Sequence, residues 1–284
     1  MKKEKKHIIQ TEQAWEHLYN RLLHDGLLTE YGIQQSGIIS SLRKISWVAI
    51  FLLLCISITT LFYTNRLGEK TDTTLLTLQN KKDAATLVKT LEDGSIVYLA
   101  DNSQLQYPEH FQTDKRIVTL KGDALFDVSG NKERPFFIET DNMQIEVLGT
   151  AFNIINNENK PFELSVLRGT VKVTSMQNKT SVLVNAGETV TLLARQLQIN
   201  ATQDTKQFAR YTQLMQFKDE RLADILRVVN LTNSEMQIQA TPNIEDHRLT
   251  VRFTNNSPDE IARLLCAALN LKYTQDKNTL FIKP

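Results

Sequence analysis

The strongest pattern in the chain is an unbroken apolar run, ISWVAIFLLLCISITTLFYT, from Ile45 to Thr64. These twenty residues carry no charge, and as a helix they extend roughly 30 Å, the thickness of a bilayer's hydrocarbon core. The polar members are Ser and Thr, whose hydroxyls can bond back to helix carbonyls. Trp47 lies near one end and Phe62 and Tyr63 near the other, where aromatic rings meet headgroups, and Arg43, Lys44 and Arg66 bound the run. A buried core helix is the competing reading, but so long a stretch without a charge favours a single membrane span. With 44 residues ahead of it and no small-x-small site in the following TNRLGEK, the run predicts a retained anchor rather than a cleaved signal peptide.

Before the run, Trp15, Leu18, Tyr19 and Leu22 recur at i, i+3, i+4 and i+7, one apolar stripe of a helix with Thr11 as N-cap and Gly26 as C-cap. So short a helix cannot enclose its own core, and the stripe predicts either a partner protein or the membrane surface. Glu12, Glu16 and Asp25 on the polar side oppose docking on anionic lipid.

After the run, residues 65–84 are mostly polar and read as a linker. From Leu91 to about Ile199 the period shortens to two. Strands are expected at Ile96 to Leu99, Ile117 to Leu120, Phe136 to Ile138, Ile145 to Leu148, Val171 to Val173, Val182 to Val184 and Val190 to Leu193. Six of the ten glycines fall between Gly94 and Gly187, several in one context: a short apolar run, Gly, a polar residue, then alternating hydrophobics. LKGDALFDV, VLGTAFNI, VLRGTVKV and NAGETVTLL are examples. Residues 85–200 therefore predict an all-β unit, quasi-repetitive, of sandwich or solenoid type.

Near Asn200 the composition shifts again. Met215 to Phe217 reads as a strand, and Leu222, Ile225, Leu226 and Val229 as a helical stripe behind Asp219 as cap. Met236 to Gln239 and Leu249 to Phe253 read as strands. Ser257-Pro258-Asp259-Glu260 supplies a cap, a proline at the first helical position and a Glu at the third, a helix start. The stripe Ile261, Leu264, Leu265, Ala268 follows, then a hairpin from Leu271 to Thr274 and Thr279 to Ile282. Residues 210–284 thus predict a small α+β domain of order β-α-β-β-α-β-β.

Charge matters once the chain is divided. Overall, 33 Lys plus Arg balance 32 Asp plus Glu, which excludes a nucleic-acid binder driven by net charge. In residues 1–44 seven basic residues (Lys2, Lys3, Lys5, Lys6, Arg21, Arg43, Lys44) face five acidic ones (Glu4, Glu12, Glu16, Asp25, Glu30). That bias places the N-terminus on the cytoplasmic side, although within twenty residues of the run the basic count is two before and four after. Only two cysteines occur, Cys55 in the apolar run and Cys266 near the other end, so a disulfide framework is excluded.

The β segment resembles the FecR domain of membrane-bound anti-sigma regulators. The resemblance rests on LEDGSIVYLADNSQLQYPEHF (91–111), RIVTLKGDALFDV (116–128), RPFFIET (134–140), IEVLGTAFNI (145–154), LRGTVKV (167–173) and AGETVTL (186–192), in that order. The last domain is similar to the C-terminal module of FecR-like proteins of Bacteroidota, itself akin to the short N-terminal domain of secretins and TonB-dependent receptors. The resemblance implies an inner-membrane protein with a cytoplasmic segment that binds an extracytoplasmic-function (ECF) sigma factor and periplasmic domains that receive a signal from a TonB-dependent outer-membrane receptor. By position and amphipathicity, Trp15, Leu18, Tyr19 and Leu22 are the expected sigma-binding residues. The runner-up is a membrane-tethered periplasmic binding or scaffold module for glycan or envelope protein.

Catalytic chemistry is sparse. His7, His17, His24, His110 and His247 are scattered, no P-loop or GxSxG elbow is present, and neither metal nor cofactor is expected. An enzyme acting on a separate substrate is accordingly not expected. Some FecR-like regulators resemble this chain at Leu148-Gly149-Thr150 and cut themselves at the Gly–Thr bond. The step is an N-to-O acyl shift in which the Thr150 hydroxyl attacks the Gly149 carbonyl. The plainer alternative is that Gly149 turns a corner and Thr150 begins a strand.

Overall fold

The computed structural model describes residues 14–26, 51–60 and 74–284, except 159 and 234. The chain divides into two units, Met1–Thr71 and Asp72–Pro284.

In the first unit, residues 14–24 form helix α1. It ends as expected at Gly26, where the chain takes φ +69° and the Gly26 N–H donates to Leu23 O at 3.2 Å. The cap proposed at Thr11 lies outside the described residues. Residues 51–60 form helix α2, with every side chain exposed. The Thr59 and Thr60 hydroxyls do bond back, to Cys55 O and Ile56 O, each at 2.8 Å. Among the described residues no helix is long and apolar enough to cross a membrane; residues 45–50 and 61–64 of the apolar run lie outside them.

The second unit opens with fourteen strands: β1 (Leu75–Gln79), β2 (Thr86–Thr90), β3 (Ile96–Leu99), β4 (Gln104–Pro108), β5 (Arg116–Lys121), β6 (Ala124–Asp127), β7 (Phe136–Glu139), β8 (Met143–Val147), β9 (Ala151–Ile155), β10 (Glu163–Arg168), β11 (Thr170–Ser175), β12 (Ser181–Asn185), β13 (Glu188–Leu193) and β14 (Gln196–Ala201). A short α3 (Arg210–Gln213) leads into β15 (Leu214–Arg221), α4 (Leu222–Thr232), β16 (Gln237–Ala240), β17 (Arg248–Thr254), α5 (Pro258–Leu269), β18 (Lys272–Asp276) and β19 (Thr279–Lys283).

These strands make a seven-stranded sheet ordered β1-β4-β5-β7-β8-β11-β12 and a nine-stranded sheet ordered β14-β13-β10-β9-β6-β3-β2-β15-β17. The two sheets stack over one core, with Leu105, Val118, Phe136, Ile138, Ile145 and Val171 from the first meeting Val97, Leu99, Phe126, Phe152, Ile154 and Leu164 from the second. The arrangement is a sandwich, which decides between the two forms expected. A third strand group, β16-β19-β18, closes the C-terminal part.

The nine-stranded sheet is buried on both faces where it passes beneath the C-terminal part. In β3, Val97 and Leu99 enter the sandwich core while Ile96 and Tyr98 enter a second core with Phe217, Ile225, Val229, Ile261 and Leu265. Successive side chains point to opposite faces of a strand, so a strand covered on both sides is apolar throughout, as IVYL is. Leu125 between Ala124 and Phe126 repeats the pattern.

Two expectations are corrected. Strand β1 falls inside the stretch read as a linker: Leu78 packs on the sandwich core, and five residue pairs join β1 to β4. Asp219 does not cap α4. It takes φ +53° at an irregularity in the β15–β17 ladder, and Arg221 is the N-cap. The predicted capping box of α5 is present in full, with Ser257 and Glu260 bonding each other's backbone N–H.

Candidate functional site

The Gly149–Thr150 peptide lies at the corner between β8 and β9, clamped on both flanks by the loop 128–131. The Asn131 N–H donates to Leu148 O at 2.7 Å, and the Val128 N–H donates to Thr150 O at 2.8 Å. Between those bonds the loop presses Gly130 against Gly149. A Cβ on Gly149 would stand 2.6 Å from Gly130 Cα, and Gly149 holds φ +153°, so both space and backbone require glycine there.

Buried polar groups hold that loop in place. Arg116, only 1% exposed, donates from Nη1 to Ser129 O at 2.9 Å and to Asp93 Oδ2 at 2.6 Å, and from Nε to Arg134 O at 2.8 Å. Its guanidinium lies 5.2 Å from the centroid of the Phe136 ring. Asp93 also accepts from Ser95 Oγ at 2.7 Å, and that hydroxyl accepts the Ser129 N–H at 3.0 Å. The charge of Arg116 is thereby matched by a carboxylate and used to fasten the main chain opposite the Gly–Thr bond.

Thr150 is 2% exposed, and its Oγ1 is buried without a hydrogen-bond partner among the described residues. A buried hydroxyl without a partner forgoes about 1–3 kcal/mol, so such a group calls for a reason. On the other side of the peptide is Gly169, in the turn between β10 and β11. A Cβ there would stand 2.7 Å from Thr150 Cγ2, 3.2 Å from Gly149 O and 3.3 Å from Thr150 Cβ. Two glycines distant in sequence, Gly130 and Gly169, thus flank the Gly149–Thr150 peptide.

Residues 80–172, which contain the whole corner, match the family model for FecR protein. That segment is similar to the FecR family. The FecR match ends within β11, and β12 to β14 continue its two sheets. Two crystal structures of a candidate anti-sigma factor from Parabacteroides distasonis ATCC 8503 are also similar. One is 19% identical, covers 73% of this chain and 98% of that chain and has a TM-score of 0.44; the other is 20% identical, covers 74% and 98%, and has a TM-score of 0.45. No curated protein matches the chain.

The expected sigma-binding residues are on α1 in the first unit. Trp15, Leu18 and Tyr19 are exposed, Trp15 to 71%, and Leu22 is half-buried. Among the described residues no His, Cys, Asp and Glu side chains gather as a metal site. His110 pairs instead with Glu92 at 2.8 Å, and His247 Nδ1 lies 2.9 Å from Ile244 O. The sequence singles out Gly149 and Thr150 but not Arg116, Asp93, Ser129, Gly130 or Gly169 as their surroundings. The available signal was the repeated glycine context, which marks corners without saying which of them meet.

Proposed function

We propose that this protein is an anti-sigma regulator held in the inner membrane by residues 45–64. Residues 1–44 lie in the cytoplasm and bind an ECF sigma factor, and the remainder lies in the periplasm and receives a signal from the signalling domain of a TonB-dependent outer-membrane receptor. The FecR match over residues 80–172 carries this reading. The exposed stripe Trp15, Leu18, Tyr19 on α1 supports it, because an amphipathic helix with an uncovered apolar face suits a groove on a partner. The test is co-purification of the full-length protein, in detergent, with the ECF sigma factors of its own organism. Trp15→Ala and Leu22→Ala should each weaken the complex by roughly 30-fold, the effect of losing an anchor worth about 2 kcal/mol. Undiminished capture by both variants would sink the helix-in-groove assignment.

A second activity is favoured by the unpartnered Thr150 Oγ1. Attack of that oxygen on the Gly149 carbonyl carbon forms a C–O bond and breaks the C–N bond, and the hydroxyl proton ends on the Thr150 nitrogen. Water then hydrolyses the ester, leaving a Gly149 carboxylate and a free Thr150 amine. Purified protein should yield fragments 1–149 and 150–284, and Thr150→Ala should stay whole. A wild-type protein of intact mass after long incubation would exclude the activity.

A further inference from the structure

We propose that Gly169 is a positioning residue for the acyl shift: by lacking a Cβ it seats the Thr150 methyl and so fixes which way the Thr150 hydroxyl points. The inference rests on the self-cleavage reading given above, and goes beyond it by assigning a role to a residue outside the Gly–Thr pair.

The three substituents on Thr150 Cβ other than Cα are a hydroxyl, a methyl and a hydrogen, and rotation about χ1 moves them together in steps of about 120° between staggered wells. Gly169 meets the methyl. A Cβ built on Gly169 would come 2.7 Å from Thr150 Cγ2, closer than side chains tolerate. Thr150 is 2% exposed, and its own carbonyl is tied to the Val128 N–H at 2.8 Å. The backbone therefore cannot withdraw freely, and relief comes from turning χ1 or pushing the corner apart. Turning χ1 carries Oγ1 away from its present direction. Gly169 also keeps space beside Gly149 O, since the same Cβ would come within 3.2 Å of that atom. This oxygen gains negative charge and shifts out of plane as the carbonyl carbon becomes tetrahedral. One missing methyl group thus sets the direction of the nucleophile and leaves room for the oxygen that moves.

The test uses the full-length protein in detergent, with fragments 1–149 and 150–284 timed by mass spectrometry across a range of pH. Gly169 holds φ +86°, so Gly169→Ala adds backbone strain as well as a methyl. Gly169→Asn provides a second variant, because Asn accepts positive φ better than most residues. Both should slow fragment formation at least tenfold. Combining either with Thr150→Ser, which keeps the hydroxyl but removes the methyl under pressure, should restore the rate to that of Thr150→Ser alone. Rescue of this kind is not expected from a merely structural defect. The proposal is overturned if Gly169→Asn cleaves like wild type, or if the serine double variants stay as slow as the single Gly169 variants. Absence of fragments from wild type would remove the reaction itself, whereas normal wild-type cleavage without a Gly169 effect would remove only the assignment of Gly169.

Discussion

Arg116 shows how much one side chain can organise. In β5 it alternates inward with Val118 and Leu120, so a guanidinium occupies a position in the register of the sandwich core. Its bonds to Asp93, Ser129 O and Arg134 O make that position tenable, and its Nη2 has no hydrogen-bond partner among the described residues. Replacement by Met would keep much of the volume but leave Asp93 buried without its cation, a loss that typically costs about 3–5 kcal/mol. Arg116→Met should therefore lower the denaturant midpoint substantially, with retarded self-cleavage because the 128–131 loop loses its fastening. A change in stability below about 1 kcal/mol would show that the ion pair contributes little. None of this was legible in RIVTLK alone. The strand was readable from Ile117 to Leu120, but the partners of Arg116 lie in other turns that only strand pairing brings together.

At the scale of elements, the C-terminal part was the more readable, because its signals are local. A capping box starts α5, and the expected stripe Leu222, Ile225, Leu226 and Val229 is the buried face of α4; on α5 the buried face is Ile261, Ala262, Leu265 and Cys266, and Leu264 and Ala268 of the expected stripe are exposed. What could not be read was where that part attaches. Strand β15 pairs in parallel with β2 through Met215↔Thr86, Gln216↔Leu87 and Phe217↔Val88, across more than a hundred residues of chain, and no local pattern encodes such a pairing. Beside it, Lys89 Nζ meets Glu220 Oε1 at 2.5 Å, and Arg227 Nη2 donates to Gly94 O at 2.5 Å.

Burial raises the Glu220 pKa above the usual carboxylate range, outweighing the opposing pull of Lys89. The folded state therefore binds this proton more readily than the unfolded state. The stabilisation from that proton is complete below the unfolded pKa and disappears as pH rises through the folded one. Acidification from neutrality should stabilise the fold through this residue. Glu220→Gln should remove that part of the pH dependence, seen as a smaller change in denaturant midpoint between pH 7 and pH 5 than in wild type. Equal changes in the two proteins would exclude Glu220 as the source.

At the largest scale described, the second unit, the nine-stranded sheet is the unifying feature, running from β14 in the sandwich to β17 in the C-terminal part. The sequence divides at its apolar run and at its changes of period, and the second unit holds two hydrophobic cores. The continuity of that sheet was hidden, since a strand buried on both faces looks in sequence like any short apolar run.

That continuity bears on a chain cut after Gly149. Strands before the cut pair with strands after it at three places: β6 with β9 over four residue pairs, β8 with β11 over four, and β2 with β15 over three. A nicked molecule would therefore remain in one piece at rest, while any pull between its ends would pass through hydrogen-bonded ladders rather than a covalent bond. The cut would convert a permanent tether into a mechanical fuse, stable to diffusion but released by force.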